Sequence, residues 1–140
     1  MAYIDTSVLV AYYCPETLSG PAQKALARTG LPVISPLVEL EFVCAMAMKV
    51  RAGELDAASA RRILATLQRH LAEDRYMIVP VGGAEYELAR HWVGGFSTPL
   101  RAPDALHLAA AFGNGLLLLT ADRALARAAA DLGVDCELIA

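Results

Sequence analysis

Four acidic residues sit at the edges of apolar segments. Asp5 follows Ala2-Tyr3-Ile4, and Glu41 lies on a helical stretch after Pro32-Val33-Ile34. Asp104 opens Asp-Ala-Leu-His-Leu-Ala-Ala-Ala, and Asp122 comes just after Leu116 to Thr120. A charge beside a core strand costs free energy unless something compensates it. Gathered at one place, these carboxylates would form an oxygen-rich cage for a hard divalent cation. With no His or Cys cluster beside them, Mg²⁺ or Mn²⁺ suits the set better than Zn²⁺. Paired ions of this kind can activate water and stabilise the leaving oxygen in an in-line phosphodiester cleavage. Ser7 and Thr120 add hydroxyls that could orient an acid or a water.

Each acid also has a plainer reading. Asp5, Asp104 and Asp122 could cap helices or complement their dipoles. Glu41 is harder to explain away, because Leu37-Val38-Glu39-Leu40-Glu41-Phe42-Val43 is otherwise apolar. Glu39 and Glu41 lie about 200° apart around a helix, so one faces a crevice and the other solvent. Spacing alone does not choose between them. Four neighbouring carboxylates without a cation would repel and take up protons, which predicts raised acid pKa values. His107, three residues after Asp104, shares its helix face and reads first as structural, with a role near the site second. His70 reads as solvated, and His91-Trp92 as a packing or partner element. Arg101 and Arg123 could contact phosphate, although solvated surface charge is the simpler reading. Other chemistries find no motif: there is no Gly-rich phosphate loop and no GxSxG elbow.

The elements that must position the acids follow from periodicity and stop signals. Ala2 to Ile4 reads as a strand, with Thr6 or Ser7 capping a helix from Val8 to Tyr13. Pro21 starts a helix that runs to about Arg28. Pro32 to Ile34 reads as a second strand, followed by helices from Leu37 to about Ala52 and from Asp56-capped Ala57 to about Glu73. Those two should form a hairpin. Met77 to Val81 is a third strand, Ala84 to about Trp92 a helix, and Val93 to Ala102 a loop. Pro103 opens a helix to about Phe112. Leu116 to Leu119 is an apolar strand, Ala124 to Leu132 a helix, and Cys136 to Ile139 the last strand. Strands alternating with helices predict a parallel sheet covered on both faces. Ligands of such sheets bind beyond the carboxyl ends of the strands, near a topological switch point. Asp5 and Asp122 fall there directly, and Asp104 and Glu41 can point into the same crevice.

The chain has 140 residues, is 56% hydrophobic and carries a net charge of −3. That length fits one domain, residues 1–140. No apolar run is long enough to span a membrane, and no secretory signal opens the chain, so the cytoplasm is the expected location. The charge gives no global attraction for nucleic acid. Of twelve Lys and Arg residues only Lys24 and Lys49 are lysine. Cys14, Cys44 and Cys136 match no zinc or disulfide spacing and read as small core residues. Tyr12, Tyr13, Leu18, Met46, Met48 and Trp92 should mostly be core, with some left for a dimer or partner surface.

Four motifs now stand in order: Tyr3-Ile4-Asp5-Thr6-Ser7-Val8-Leu9-Val10, Ser35-Pro36-Leu37-Val38-Glu39-Leu40-Glu41-Phe42, Ala102-Pro103-Asp104-Ala105-Leu106-His107-Leu108-Ala109 and Leu119-Thr120-Ala121-Asp122-Arg123. In these the chain resembles PIN-domain proteins, and within that superfamily the VapC-type toxins of toxin–antitoxin pairs. The resemblance covers nearly the whole chain. It implies a three-layer α/β/α fold with a short central parallel sheet, and a Mg²⁺- or Mn²⁺-dependent endoribonuclease that cuts single-stranded or loop RNA. Asp5, Glu41 (rather than Glu39), Asp104 and Asp122 match the family's acids, and Ser7 and Thr120 its polar positions. It also implies a homodimer and a small VapB-like antitoxin that covers the groove. Arg123 to Ala130 carries no further acid, which leaves a second ion without an assigned ligand. The competing readings are a catalytically inactive PIN-like module that binds RNA or protein, and a phosphatase or DNA nuclease on a similar sheet.

Overall fold

Five short parallel strands form the sheet, and seven helices flank it; the computed structural model describes residues 1–140. In chain order the elements are β1 (Ala2–Ile4), α1 (Thr6–Tyr13), α2 (Ser19–Thr29), β2 (Val33–Ile34), α3 (Pro36–Arg51) and α4 (Ala57–Ala72). There follow β3 (Met77–Ile78), α5 (Gly83–Gly94), α6 (Ala102–Gly113), β4 (Leu117–Thr120), α7 (Arg123–Leu132) and β5 (Cys136–Leu138). The strand order is β3-β2-β1-β4-β5.

That order explains which strands matter. From β1 the chain steps to β2 and then β3, returns to β4 on the other side of β1, and ends on β5. Right-handed crossovers therefore place α1 to α4 on one face and α5 to α7 on the other. The packing of α1 on α2 and α3, of α3 on α4, and of α5 on α6 agrees. The helix hairpin expected from Leu37 to Glu73 is present. The connections leaving β1 and β4 diverge, so a crevice opens between the carboxyl ends of these two strands. Pairing of Ala2 with Leu117, Tyr3 with Leu118 and Ile4 with Leu119 brings Asp5 beside the end of β4.

β1, β2, Leu118 and Leu119 are buried on both sides, which is why they read as continuous apolar runs rather than alternating ones. Each such Leu or Ile side chain contributes about 1.5–3 kcal/mol on burial. The outer strand β3 pairs over two residues only, shorter than the expected Met77 to Val81, and Met77 and Ile78 are exposed. Met77 and Val79 donate to Pro32 O and Ile34 O, and the ladder stops there because β2 ends at Ile34 and the chain enters α3 at Pro36.

Helix ends follow local chemistry. Ser35, Asp56 and Asp122 cap α3, α4 and α7 by accepting backbone N–H bonds. Gly133 ends α7 in the left-handed region, at φ 72°, where a side chain would be strained. The expectation for α1 needs correction. The helix starts at Thr6, with Asp5 at the N-cap position, yet the Asp5 side chain makes no capping bond. Thr6 and Ser7 are first-turn residues whose hydroxyls are used elsewhere. The cysteines also need correction: Cys14 is buried, but Cys136 is partly buried and Cys44 is exposed on α3. Met46 is core, Met48 is exposed, and Tyr12, Tyr13, Leu18 and Trp92 pack against the core from partly buried positions. His70, expected in solvent, is partly buried and bonds the Tyr13 hydroxyl at 2.7 Å. No helix is long and apolar enough to cross a membrane.

Candidate functional site

Asp5 is the most deeply placed of the four acids, at 5% exposure. Its Oδ2 accepts hydrogen bonds from Ser7 Oγ at 2.5 Å and Thr120 Oγ1 at 2.9 Å. Both hydroxyls accept in turn from the turn after β4: Ser7 from Ala121 N and Thr120 from Asp122 N. Asp5 N donates to Leu119 O at 2.9 Å. The two strand ends are thus stitched together through one carboxylate oxygen. Two hydroxyl donors to a carboxylate offset much of its desolvation, and they do so without neutralising its charge. Oδ1 is left outside this network, 3.8 Å from His107 Nε2.

Glu41 sits near the start of α3 and its Oε1 is bonded twice, by Thr6 Oγ1 at 2.8 Å and by His107 Nε2. Glu39 makes no such contact. His107 is fully buried, and its Nδ1 bonds the Tyr3 hydroxyl at 2.8 Å. Asp122 Oδ1 accepts from Ala124 N and Leu125 N at the start of α7, so the capping role considered for it is real. Asp104, in the first turn of α6 and partly buried, makes no side-chain hydrogen bond. Three acids therefore commit one oxygen to the protein and keep the other free, while Asp104 keeps both.

The electrostatics tie the four together. Burial raises the Asp104 pKa, and the charges of Asp122, Asp5 and Glu41 push it further up, with His107 opposing. Glu41 goes the other way. Burial would raise it, but the hydrogen bonds with His107 and Thr6 outweigh that and hold it below the usual carboxylate range. The expectation of raised acid pKa values is thus met at Asp104 and fails at Glu41, where Thr6 and His107 both bond one carboxylate oxygen.

A stability prediction follows. Folded Asp104 holds its proton more tightly than an unfolded aspartate. Stability therefore falls as pH rises through the interval between the ordinary Asp value and the raised one, and the cost is complete above it. Glu41 contributes stability above the ordinary Glu value that is lost as pH falls through its lowered one. Asp104→Asn should raise the melting temperature of the metal-free protein at pH 7, and its advantage should shrink toward pH 4. A variant less stable than the parent at pH 7 would contradict the repulsion inferred at this carboxyl.

The residues suit a hard divalent cation in donor type and charge, since the charges of Asp122, Asp5 and Glu41 reach Asp104 and positive charge there would relieve it. As they stand, no three His, Cys, Asp or Glu side chains converge closely enough to enclose an ion. Mg²⁺ does not need that, because it binds through one or two carboxylates and keeps several waters. Asp5 Oδ1, Glu41 Oε2, Asp122 Oδ2 and Asp104 are the available oxygens. Arg101 and Arg123 are exposed and flank Asp104 and Asp122 in sequence. A cavity of about 480 Å³, lined by Tyr12, Gln23, His70 and Arg75 among others, contains none of the acids.

The chain finds a match among known families. The PIN domain model matches residues 2–131. The chain belongs to the PIN domain family. Among solved structures its PIN fold is similar to FitAcB from Neisseria gonorrhoeae, at 18% identity and a TM-score of 0.71, over 97% of this chain and 96% of that one. It is similar to a toxin–antitoxin complex from Klebsiella pneumoniae, at 20% identity and a TM-score of 0.62, over 87% of each chain. A third match is VapC20 from Mycobacterium tuberculosis, described as a Sarcin-Ricin loop cleaving toxin, at 17% identity and a TM-score of 0.64, over 84% of this chain and 87% of that one. No curated protein sequence matches the chain. At these identities the likeness establishes the fold, that of the VapC-like toxins.

Within this PIN domain, sequence reasoning missed Thr6, treated as a cap, and Tyr3, treated as plain strand. It weighted His107 toward a structural role. The available signals were a tyrosine hydroxyl in a buried strand and a histidine on the Asp104 face of an apolar helix; both demand polar partners.

Proposed function

We propose that this PIN domain is a metal-dependent endoribonuclease that cuts single-stranded or loop RNA as the toxin of a toxin–antitoxin pair. The observation that carries the reading is Asp5: a charged carboxylate, buried at the β1–β4 switch point, held by Ser7 and Thr120 through one oxygen only. Such an arrangement keeps the charge while leaving Oδ1 for a ligand. Asp5, Glu41, Asp104 and Asp122 are the proposed catalytic residues and would hold Mg²⁺ or Mn²⁺. When bound, the cation supplies Lewis acidity that offsets negative charge on a cleaving phosphodiester and eases deprotonation of water. Ser7 and Thr120 fix Asp5 before substrate arrives, so little reorganisation accompanies reaction. Exposed Arg101 and Arg123 are the proposed contacts to the RNA backbone.

The partner follows similar logic. A recess of about 240 Å³ lined by Pro36, Leu37, Leu40, Val81, Tyr86 and Leu106 lies between α3, α5 and α6, and α3 and α6 carry Glu41 and Asp104. A small antitoxin segment could seat apolar side chains there and bring a cation to the acids. The toxin–antitoxin complex among the similar structures supports such a partner, and a homodimer completes the reading.

The deciding experiment offers single-stranded RNA, duplex RNA, single-stranded DNA and a phosphomonoester to the purified chain, with Mn²⁺ and with EDTA. Cleavage of single-stranded RNA that EDTA abolishes is the expected result. Preferred turnover of DNA or the phosphomonoester, or RNA binding without cleavage, would replace the proposal with one of its rivals.

A further inference from the structure

Beside the acids runs a second polar network, and its hydrogen-bond accounting has a direction. Ser35, Tyr3 and His107 are all fully buried. Val38 N–H donates to Ser35 Oγ at 3.4 Å, Ser35 Oγ lies 2.7 Å from Tyr3 Oη, and Tyr3 Oη lies 2.8 Å from His107 Nδ1. His107 Nε2 meets Glu41 Oε1. Each hydroxyl has one proton to give. If Ser35 donates to Tyr3, then Tyr3 donates to a bare Nδ1, and the ring proton sits on Nε2 facing Glu41. Every donor then has an acceptor. If Tyr3 instead donates to Ser35, the Ser35 proton has no acceptor in a fully buried position, whether the imidazole is neutral or charged. Burial of an unpaired hydroxyl is disfavoured, so the first direction holds. Burial also pushes the Tyr3 phenol far above its ordinary range, keeping it a donor.

We infer that His107 is a positioning residue, locked by Tyr3 and Ser35 as its Nε2–H tautomer, which pins Glu41 Oε1 and leaves Oε2 for the cation. Thr6 adds the second donor to the same oxygen. The network starts at the cap of α3 and ends on the carboxylate of that helix, passing through β1 and α6. The Glu41 rotamer is thereby set by contacts from two separate elements, α1 through Thr6 and α6 through His107. Groups of this kind orient ligands without touching the ion, and their loss typically costs about 10- to 100-fold in metal affinity. The cation part of this inference rests on the function proposed above; the tautomer part does not.

Two measurements test it. Long-range ¹⁵N–¹H correlation on the full chain should show His107 with Nε2 protonated and Nδ1 bare, and Tyr3→Phe should weaken that preference. Calorimetric titration with Mn²⁺ should show about tenfold weaker binding for His107→Leu. His107→Gln, whose amide N–H can replace Nε2–H, should recover most of the loss. An Nδ1–H tautomer at neutral pH would overturn the inference. So would a folded His107→Leu that binds Mn²⁺ like the parent, or a Gln variant no better than Leu. If His107→Leu does not fold, the Tyr3→Phe and Gln variants decide. If the parent binds no Mn²⁺, the metal-centre reading fails, and the tautomer alone decides the role of His107.

Discussion

Asp5→Asn removes metal-dependent cleavage of single-stranded RNA, with a rate loss on the order of 10³-fold or more, as expected when a charge that stabilises the reacting centre is deleted. The substitution is nearly isosteric. The amide oxygen can still accept from Ser7 and Thr120, so the stitch between β1 and β4 survives and the fold with it. What disappears is the negative charge behind Oδ1. Rates on a labelled single-stranded RNA in Mn²⁺, set beside thermal unfolding of the same preparation, measure both. Cleavage by the folded variant at the parent's rate would sink the assignment of Asp5.

Phe42→Ala has the largest expected effect on stability. Phe42 is fully buried, one residue from Glu41, and its ring meets Tyr13 edge-on at 5.6 Å. Tyr13 in turn bonds His70 and Tyr76. Truncation removes ring contacts and leaves a cavity that α1 and α3 cannot close. The cost is about 3–5 kcal/mol, a large share of the roughly 5–15 kcal/mol that holds a domain folded. Urea unfolding should show a lower midpoint at unchanged slope. An unaltered midpoint would mean that α1 collapses onto α3 and heals the gap.

The sheet and the acids were legible in the sequence for a common reason. A parallel strand buried on both faces must be apolar throughout, so a charge at its carboxyl end stands out, and Asp5 and Asp122 did. Glu41 and Glu39 could not be separated, because two helical residues about 200° apart are equally good until neighbouring elements are placed. The neighbours that decide are Thr6 and His107, 35 and 66 positions away, and no local pattern encodes such pairings. The start of α1 was misjudged because Thr6 and Ser7 are good caps by composition. Tertiary partners claimed both hydroxyls instead. β3 is shorter than Val79 and Val81 suggest because its partner β2 ends at Ile34, where the chain turns into α3.

The pairing of β1 with β4 also sets an order in time. Asp5 takes its backbone acceptor from Leu119 and one of its side-chain donors from Thr120, 115 positions downstream. Contacts this distant form late, because closing so long a loop must precede any reward from it. During synthesis the first strand leaves the ribosome long before its partner exists. A nascent chain that ends before β4 carries Asp5, Glu41 and Asp104 but cannot assemble them. Whatever chemistry the crevice performs is therefore withheld from chains that stop short of β4 and starts only once that strand has been made.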